Sequence, residues 1–305
     1  MRRKLTLTDK LVRIPYVKNP LRSLMGRIAS IGFLRKVLRK AIRRNLVSQR
    51  IWKYFPIYGE FDVKLPAGEL FRYSSAYGDG VGTALYWQGA EWLGGEFVVF
   101  YRLAAKSDLV LDIGANTGIF SLIACAANPT AKVIAFEPVP AIYERLVANI
   151  GTNSLENRCR ALPHAASDRT GTGQLFVPWG RIPLEATLDA PEIYDSHGQL
   201  TEITITTVDS VCGDQRVDLA KIDVEGTEHR VLSGMKTVLA RWRPALVLEH
   251  HANSSSPELE TVLSGFGYRF FAIEPGGGLT RVQGFQGGVR QHFLCEADRT
   301  DIRRS

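Results

Sequence analysis

Five stretches of the chain are apolar almost throughout: LVLDIGA, KVIAFEP, RALPHAAS, VDLAKIDVEG and PALVLEHH. Segments with helical spacing, such as PAIYERLVANIGTN and EHRVLSGMKTVLARW, lie between them. A strand that alternates apolar and polar residues can leave one face in water. A strand that is apolar on both faces must be covered twice, which requires a parallel sheet with helices on either side. The pattern predicts a doubly wound α/β domain over residues 108–305, closed by YRFFAIEP and GGVRQHFLCEA. GTGQLFVP and TEITITTVDS read as further strands flanking a polar loop from Trp179 to Leu200, which is either part of a substrate lid or a disordered surface excursion.

Two segments precede this domain. Residues 53–107 are rich in aromatics and glycine, and FDVKL and ELFRY read as short strands of a lead-in subdomain. Residues 1–52 form a basic amphipathic arm: the first 50 hold fifteen Lys and Arg against the single acid Asp9, leaving 23 bases and 30 acids in the remainder. Asn19-Pro20 reads as a helix start, with apolar residues from Leu21 to Ile42 near helical spacing and bases on the other faces. Such a helix either packs on the domain or lies in a membrane interface with its apolar side down. In the second case the expected contact of residues 1–50 is anionic lipid. Nucleic acid is disfavoured, because no stacking platform with interleaved bases accompanies the charge.

The four cysteines are far apart with no CxxC pair, so neither a disulfide framework nor a cysteine zinc site is expected. No apolar run approaches the roughly 18 residues that span a bilayer. The expected setting is the cytoplasm, with peripheral contact at the inner face of the membrane.

In open α/β sheets ligands bind beyond the carboxyl ends of the strands. Asp112 follows the first strand there, and Gly114 and Gly118 bound the turn into the next helix. A dinucleotide fingerprint, GxGxxG, would need glycine where the chain has Asn116 and Ile119. Asp112 would also repel a pyrophosphate, whereas it would attract a phosphate-free ligand carrying an amino group and a sulfonium, such as S-adenosylmethionine. A nicotinamide-dependent oxidoreductase is disfavoured on both counts. Glu137, in AFEP, stands about 20 residues on, where an acid accepts hydrogen bonds from both ribose hydroxyls. Asp168, in HAASD, is either a neighbour of the adenine or an ordinary turn residue.

LVLDIGANTGIF, VIAFEP, AASD and above all KIDVEGTEHRVLSG followed by LVLEHH resemble the FkbM family of S-adenosylmethionine-dependent methyltransferases. The resemblance runs from about Trp87 through Glu296. It implies a class I, Rossmann-like fold with a seven-stranded, mostly parallel sheet whose last strand is antiparallel, and O-methylation of hydroxyls on sugars, glycans, glycolipids or polyketides. It also implies that Asp112, Gly114, Asn116, Gly118 and Glu137 hold the methyl donor. The arm before about Lys53 inherits nothing from it.

For the acceptor, alternation in VDLAKIDVEG puts Lys221, Asp223 and Glu225 on one side, with the two acids at the carboxyl end. Asp223 is the first choice to orient or deprotonate a hydroxyl, and His250 in LVLEHH is an alternative base with a pKa suited to neutral operation. Lys221 reads as a buried partner that neutralises one of these carboxylates. Asp223, Glu225, Glu249 and His250 could also form a divalent-metal site, but the preferred reading involves no metal. Glu228 and His229 read as capping or solvated. A non-catalytic membrane- or polyanion-binding module on the same scaffold is the remaining alternative.

Overall fold

The computed structural model describes residues 32–76, 79–178, 198–251, 254–285 and 290–297. Helix α1 (Gly32–Arg43) and the short α2 (Gln49–Trp52) lead into a hairpin of β1 (Gly59–Lys64) and β2 (Leu70–Ser75). The predicted helix start at Asn19-Pro20 lies outside the described residues. Alternation in the hairpin buries Phe61, Val63, Phe71 and Tyr73 against α3 (Gly80–Gln88). There Tyr86 meets Phe61 and Trp87 edge-on, with centroids 5.2 and 4.9 Å away. Helix α4 (Gly95–Ala104) completes this region. Its apolar side chains share one continuous core with those of the sheet that follows, including Val110, Leu219, Val247 and Leu294. The aromatics of residues 53–107 are thus largely core, packed on one face of the main sheet.

That sheet begins with β3 (Leu109–Ile113), followed by α5 (Ile119–Ala127), β4 (Lys132–Phe136), α6 (Pro140–Thr152) and β5 (Cys159–Leu162). The expected third strand is broken at Pro163. Its amide can donate no ladder bond, and β6 (His164–Ala166) turns away to pair with β8 (Gly198–Thr206), which pairs in turn with β7 (Gly171–Pro178). The insertion is therefore a small three-stranded sheet. Residues 179–197, the body of the expected lid with Trp179 and Tyr194, lie outside the described residues.

After α7 (Val208–Cys212) the chain re-enters the main sheet with β9 (Leu219–Ile222). The helical segment that follows is two helices, α8 (Glu228–Ser233) and α9 (Lys236–Trp242). They separate at Gly234, where a Cβ would stand 1.9 Å from the carbonyl oxygen of Ser167. Then come β10 (Ala245–His250), α10 (Ser256–Gly265), β11 (Tyr268–Ile273), β12 (Leu279–Val282) and β13 (Gln291–Ala297).

The sheet order is β12-β11-β13-β10-β9-β3-β4-β5. It has eight strands where seven were expected; the extra strand, β12, folds back on β11 through a turn closed by Gly277 N–H donating to Glu274 O. β13 runs antiparallel between β10 and β11, and β10, β9, β3, β4 and β5 are mutually parallel. The strand order reverses beside β3, so the crevice between the carboxyl ends of β3 and β9 is where this topology receives a ligand. No helix among the described residues is long and apolar enough to cross a membrane.

Candidate active site

The turn after β3 is shaped by three residues in the left-handed region: Gly114 (φ 81°), Asn116 (φ 50°) and Gly118 (φ 89°). Gly114 is there for contact as well as conformation, since a Cβ would fall 1.8 Å from the carbonyl oxygen of Asp223 across the crevice. At Gly118 a Cβ would fall 2.6 Å from the Leu146 side chain of α6. The turn is braced from outside. Asn149 Nδ2 donates to Thr117 O (2.8 Å), and the Tyr73 hydroxyl bridges Asp79 Oδ2 (2.9 Å) and Thr117 Oγ1 (2.8 Å).

Glu137, just past β4, is fixed by two backbone donors. Asn116 N–H reaches one carboxylate oxygen and Val139 N–H the other, both at 2.9 Å. Burial pushes its pKa up to about 7, against those two hydrogen bonds, which favour the charged form. Gly114, Asn116 and Glu137 line a single pocket together with Phe136, Val139, Ile142, His164, Ala165, Ala166 and Leu175. Asp223, Val224 and Glu225 line it as well. His164 Nδ1, on this wall, is buried without a hydrogen-bond partner.

Two of the residues expected to hold the donor do not line this pocket. Asp112 is buried beneath the turn, accepts a 2.6 Å hydrogen bond from Ser121 Oγ and does not line the pocket. Burial raises its pKa to about 6. Asp168 belongs to an outer cleft with Arg169, His229 and Arg230.

Beside the pocket lies a buried ionic cluster centred on Lys221, which is 1% exposed. Its Nζ is 3.0 Å from Glu96, 3.2 Å from Asp223 and 4.0 Å from Glu249. Burial alone would depress the lysine pKa, but the three carboxylates outweigh it and hold the ammonium well above its ordinary value. Burial would raise Asp223, yet Lys221 and a hydrogen bond from His251 hold it far below the usual carboxylate range. Arg290 bonds Glu249, and His292 Nδ1 lies 3.2 Å from Glu96.

His251 joins the two acids of the VDLAKIDVEG strand, with Nε2 3.2 Å from Asp223 Oδ1 and Nδ1 3.0 Å from Glu225 Oε2. These partners raise its pKa although burial opposes them. Glu225 is pushed up to about 7 by burial, against the charge of His251. Its backbone is in the left-handed region (φ 53°), a conformation that costs a non-glycine residue roughly 1 kcal/mol or more and clusters at functional sites. Glu228 is fully buried and works as a strut. One oxygen accepts Gly226 N–H (2.9 Å) and the other Ser254 Oγ–H (2.7 Å), and Ser254 Oγ in turn accepts His251 N–H (2.9 Å).

His250, the alternative base, points to the opposite face of the sheet. Its Nε2 is 2.9 Å from Ser256 Oγ and its ring stacks on Phe285 at 5.5 Å. Alternation past β10 sends Glu249 and His251 one way and His250 the other. Among the described residues, Glu96–Glu249–His292 and Asp223–Glu249–His251 have metal-ligand spacing. Lys221 already sets an ammonium against a carboxylate of each trio.

Residues 112–270, just over half of the chain, match the methyltransferase FkbM domain family. The methyltransferase sdnD of Sordaria araneosa is 28% identical over 202 residues, 53% of this chain and 74% of its own. The 31-O-demethyl-FK506 methyltransferase FkbM of Streptomyces tacrolimicus is 28% identical over 194 residues, 54% of this chain and 74% of its own. The hexuronic acid methyltransferase AglP of Haloferax volcanii is 27% identical over 169 residues, 53% of this chain and 63% of its own.

Proposed function

Because this chain belongs to the FkbM methyltransferase family and uses S-adenosylmethionine, we propose that it methylates a hydroxyl oxygen of a sugar, glycan, glycolipid or polyketide-type acceptor. The observation that carries this reading is one pocket lined both by a ribose-type acid, Glu137, and by the acids Asp223 and Glu225. The order β5-β4-β3-β9-β10-β13-β11 with β13 antiparallel supports a class I methyltransferase sheet, β12 being an addition at its edge.

The pocket suits the donor in three respects. Glu137 is held by its two backbone donors with acceptor capacity left for a ribose diol. Val139, Ile142 and Ala165 offer apolar walls to a purine, and His164 Nδ1 is an unsatisfied polar atom on the same side. Asn116 and Gly114 bring the turn's backbone against the crevice. Asp112 acts from beneath, through Ser121 and its charge. S-adenosylmethionine, when bound, supplies an electrophilic methyl group on a sulfonium.

The chain's own residues then align a nucleophile and manage its proton. Asp223, kept anionic by Lys221 and His251, is a strong hydrogen-bond acceptor but a weak base; it orients the acceptor hydroxyl. Glu225, with a pKa near neutrality, takes the proton as the methyl transfers. His251, held between the two, fixes their spacing. AglP, a hexuronic acid methyltransferase, supports a sugar-type acceptor, and FkbM, a 31-O-demethyl-FK506 methyltransferase, supports transfer to oxygen.

The test is incubation of the full chain with methyl-labelled donor, a panel of uronic acids and polyketide alcohols, and a glycan extract. The expected product is alkali-stable label, as an ether retains its methyl and an ester does not. Label that is released entirely by alkali, or found only on nitrogen, would overturn the hydroxyl assignment. Glu225→Gln is expected to lower turnover by roughly 10²-fold or more with donor affinity unchanged. In the unsubstituted enzyme the rate should rise with pH through about 7, since only ionised Glu225 accepts a proton. A rate that is flat between pH 6 and pH 8 would remove Glu225 from that role.

A further inference from the structure

The exposed side of α1 is built differently from the rest of the molecule. Ten large apolar side chains stand exposed among the described residues, and five of them (Phe33, Leu34, Val37, Leu46 and Ile51) fall within the first twenty of those residues. Phe33 is 75% and Val37 51% exposed. With about 3.6 residues per turn, Phe33, Leu34 and Val37 occupy one arc, and Lys36, Lys40 and Arg43 the arc beside it. No acid occurs between Asp9 and Glu60, while Gly32 to Lys53 carries eight Lys and Arg.

The helix is nevertheless anchored. Ile42 is buried, Leu38 packs on the core, and the guanidinium groups of Arg35 and Arg39 lie 4.8 and 4.4 Å from the centroid of the Tyr86 ring. One side of α1 therefore grips the body and the other presents adjoining apolar and cationic strips.

We propose that this face docks the enzyme on an anionic lipid bilayer. Phe33, Leu34 and Val37 enter the headgroup boundary, and Lys36, Lys40 and Arg43 meet lipid phosphates at its edge. Charge selects this occupant. A second copy of the chain, docked by the same face, would set eight cations against eight with no acid between them, and its acidic remainder would leave the apolar strip unmatched. A nucleic acid would use the cations and leave the apolar strip in water. The acidic remainder of the chain is repelled by the same surface, which limits the contact to this end. The proposal is independent of which atom is methylated.

The full chain would be floated with phosphatidylcholine vesicles with and without phosphatidylglycerol. Binding is expected only with phosphatidylglycerol, weakening as salt rises. The charge variant Lys36→Glu/Lys40→Glu and the charge-neutral variant Phe33→Ser/Val37→Ser should each lower it by at least about tenfold. Affinity for S-adenosylhomocysteine should be unchanged in both, reporting an intact fold. Three results would overturn the proposal: no phosphatidylglycerol-dependent binding, binding that survives both variants, or binding that the charge variant abolishes and the serine variant leaves intact. The last would mark a general polyanion site, and RNA would then compete with the vesicles.

Discussion

Replacing Lys221 with methionine is expected to destabilise the fold by about 3–5 kcal/mol, the usual cost of removing one partner from a buried ion pair. Three carboxylates, Glu96, Asp223 and Glu249, face this ammonium within 4.0 Å, and the lysine side chain is 1% exposed. Without it their negative charges are left in a space that cannot hydrate them. The sign of the pH dependence follows. Glu96 and Asp223, now held below their ordinary values by Lys221, would move above them. A carboxyl whose folded pKa is raised contributes stability at low pH that is lost as pH rises through that pKa. The deficit of Lys221→Met should therefore be smaller near pH 5 than at pH 8, and Glu96→Gln added to it should restore part of the loss. Urea denaturation of the three proteins at both pH values measures this. Equal stability of Lys221→Met and the unsubstituted protein at pH 8 would mean that water already reaches the cluster.

Replacing Glu137 with alanine is expected to weaken S-adenosylhomocysteine binding about a hundredfold or more, because two hydrogen bonds to a charged acceptor are lost, each contributing roughly 1.5–3 kcal/mol. The substitution also frees Asn116 N–H and Val139 N–H. Glu137→Gln separates the two effects, since it keeps an acceptor for one of those donors and removes the charge. Burial pushes Glu137 up to about 7 in the pocket, so it is mostly protonated at pH 6 and mostly ionised at pH 8. Only the ionised form accepts from both hydroxyls, so affinity should rise about tenfold from pH 6 to pH 8. In Glu137→Gln that slope should disappear. Calorimetry across pH decides it, and a Glu137→Ala affinity within twofold of the unsubstituted protein would end the ribose assignment.

Much of this site could be read from the chain. Gly114, Asn116, Glu137, Asp223 and Glu225 each follow a continuous apolar strand, and a parallel sheet delivers such positions to one edge whatever the details of packing. Other features depend on information the pattern lacks. Glu249, His250 and His251 are all nearly inaccessible, so hydropathy does not distinguish them, and only strand parity sends His251 rather than His250 to Asp223. Glu96 reaches the cluster from a helix 125 positions away from Lys221, and its only trace was an acid set in the apolar run GGEFVVF. LTRV is short and largely exposed, so it offered no buried face to mark β12 as a strand. Asp168 follows its strand as expected, but the chain leaves the pocket after Ala166 and Asp168 lines a different cleft.

The hydroxyl of Tyr73 that bridges Asp79 and Thr117 has a bearing on how the chain divides. A fragment cut at the first strand of the large sheet would keep Glu137, Asp223 and Glu225, yet the turn after that strand would lose its outer brace. The hairpin and its neighbouring helix are in this sense a buttress for that turn, contributed by a stretch of chain that composition alone would set apart.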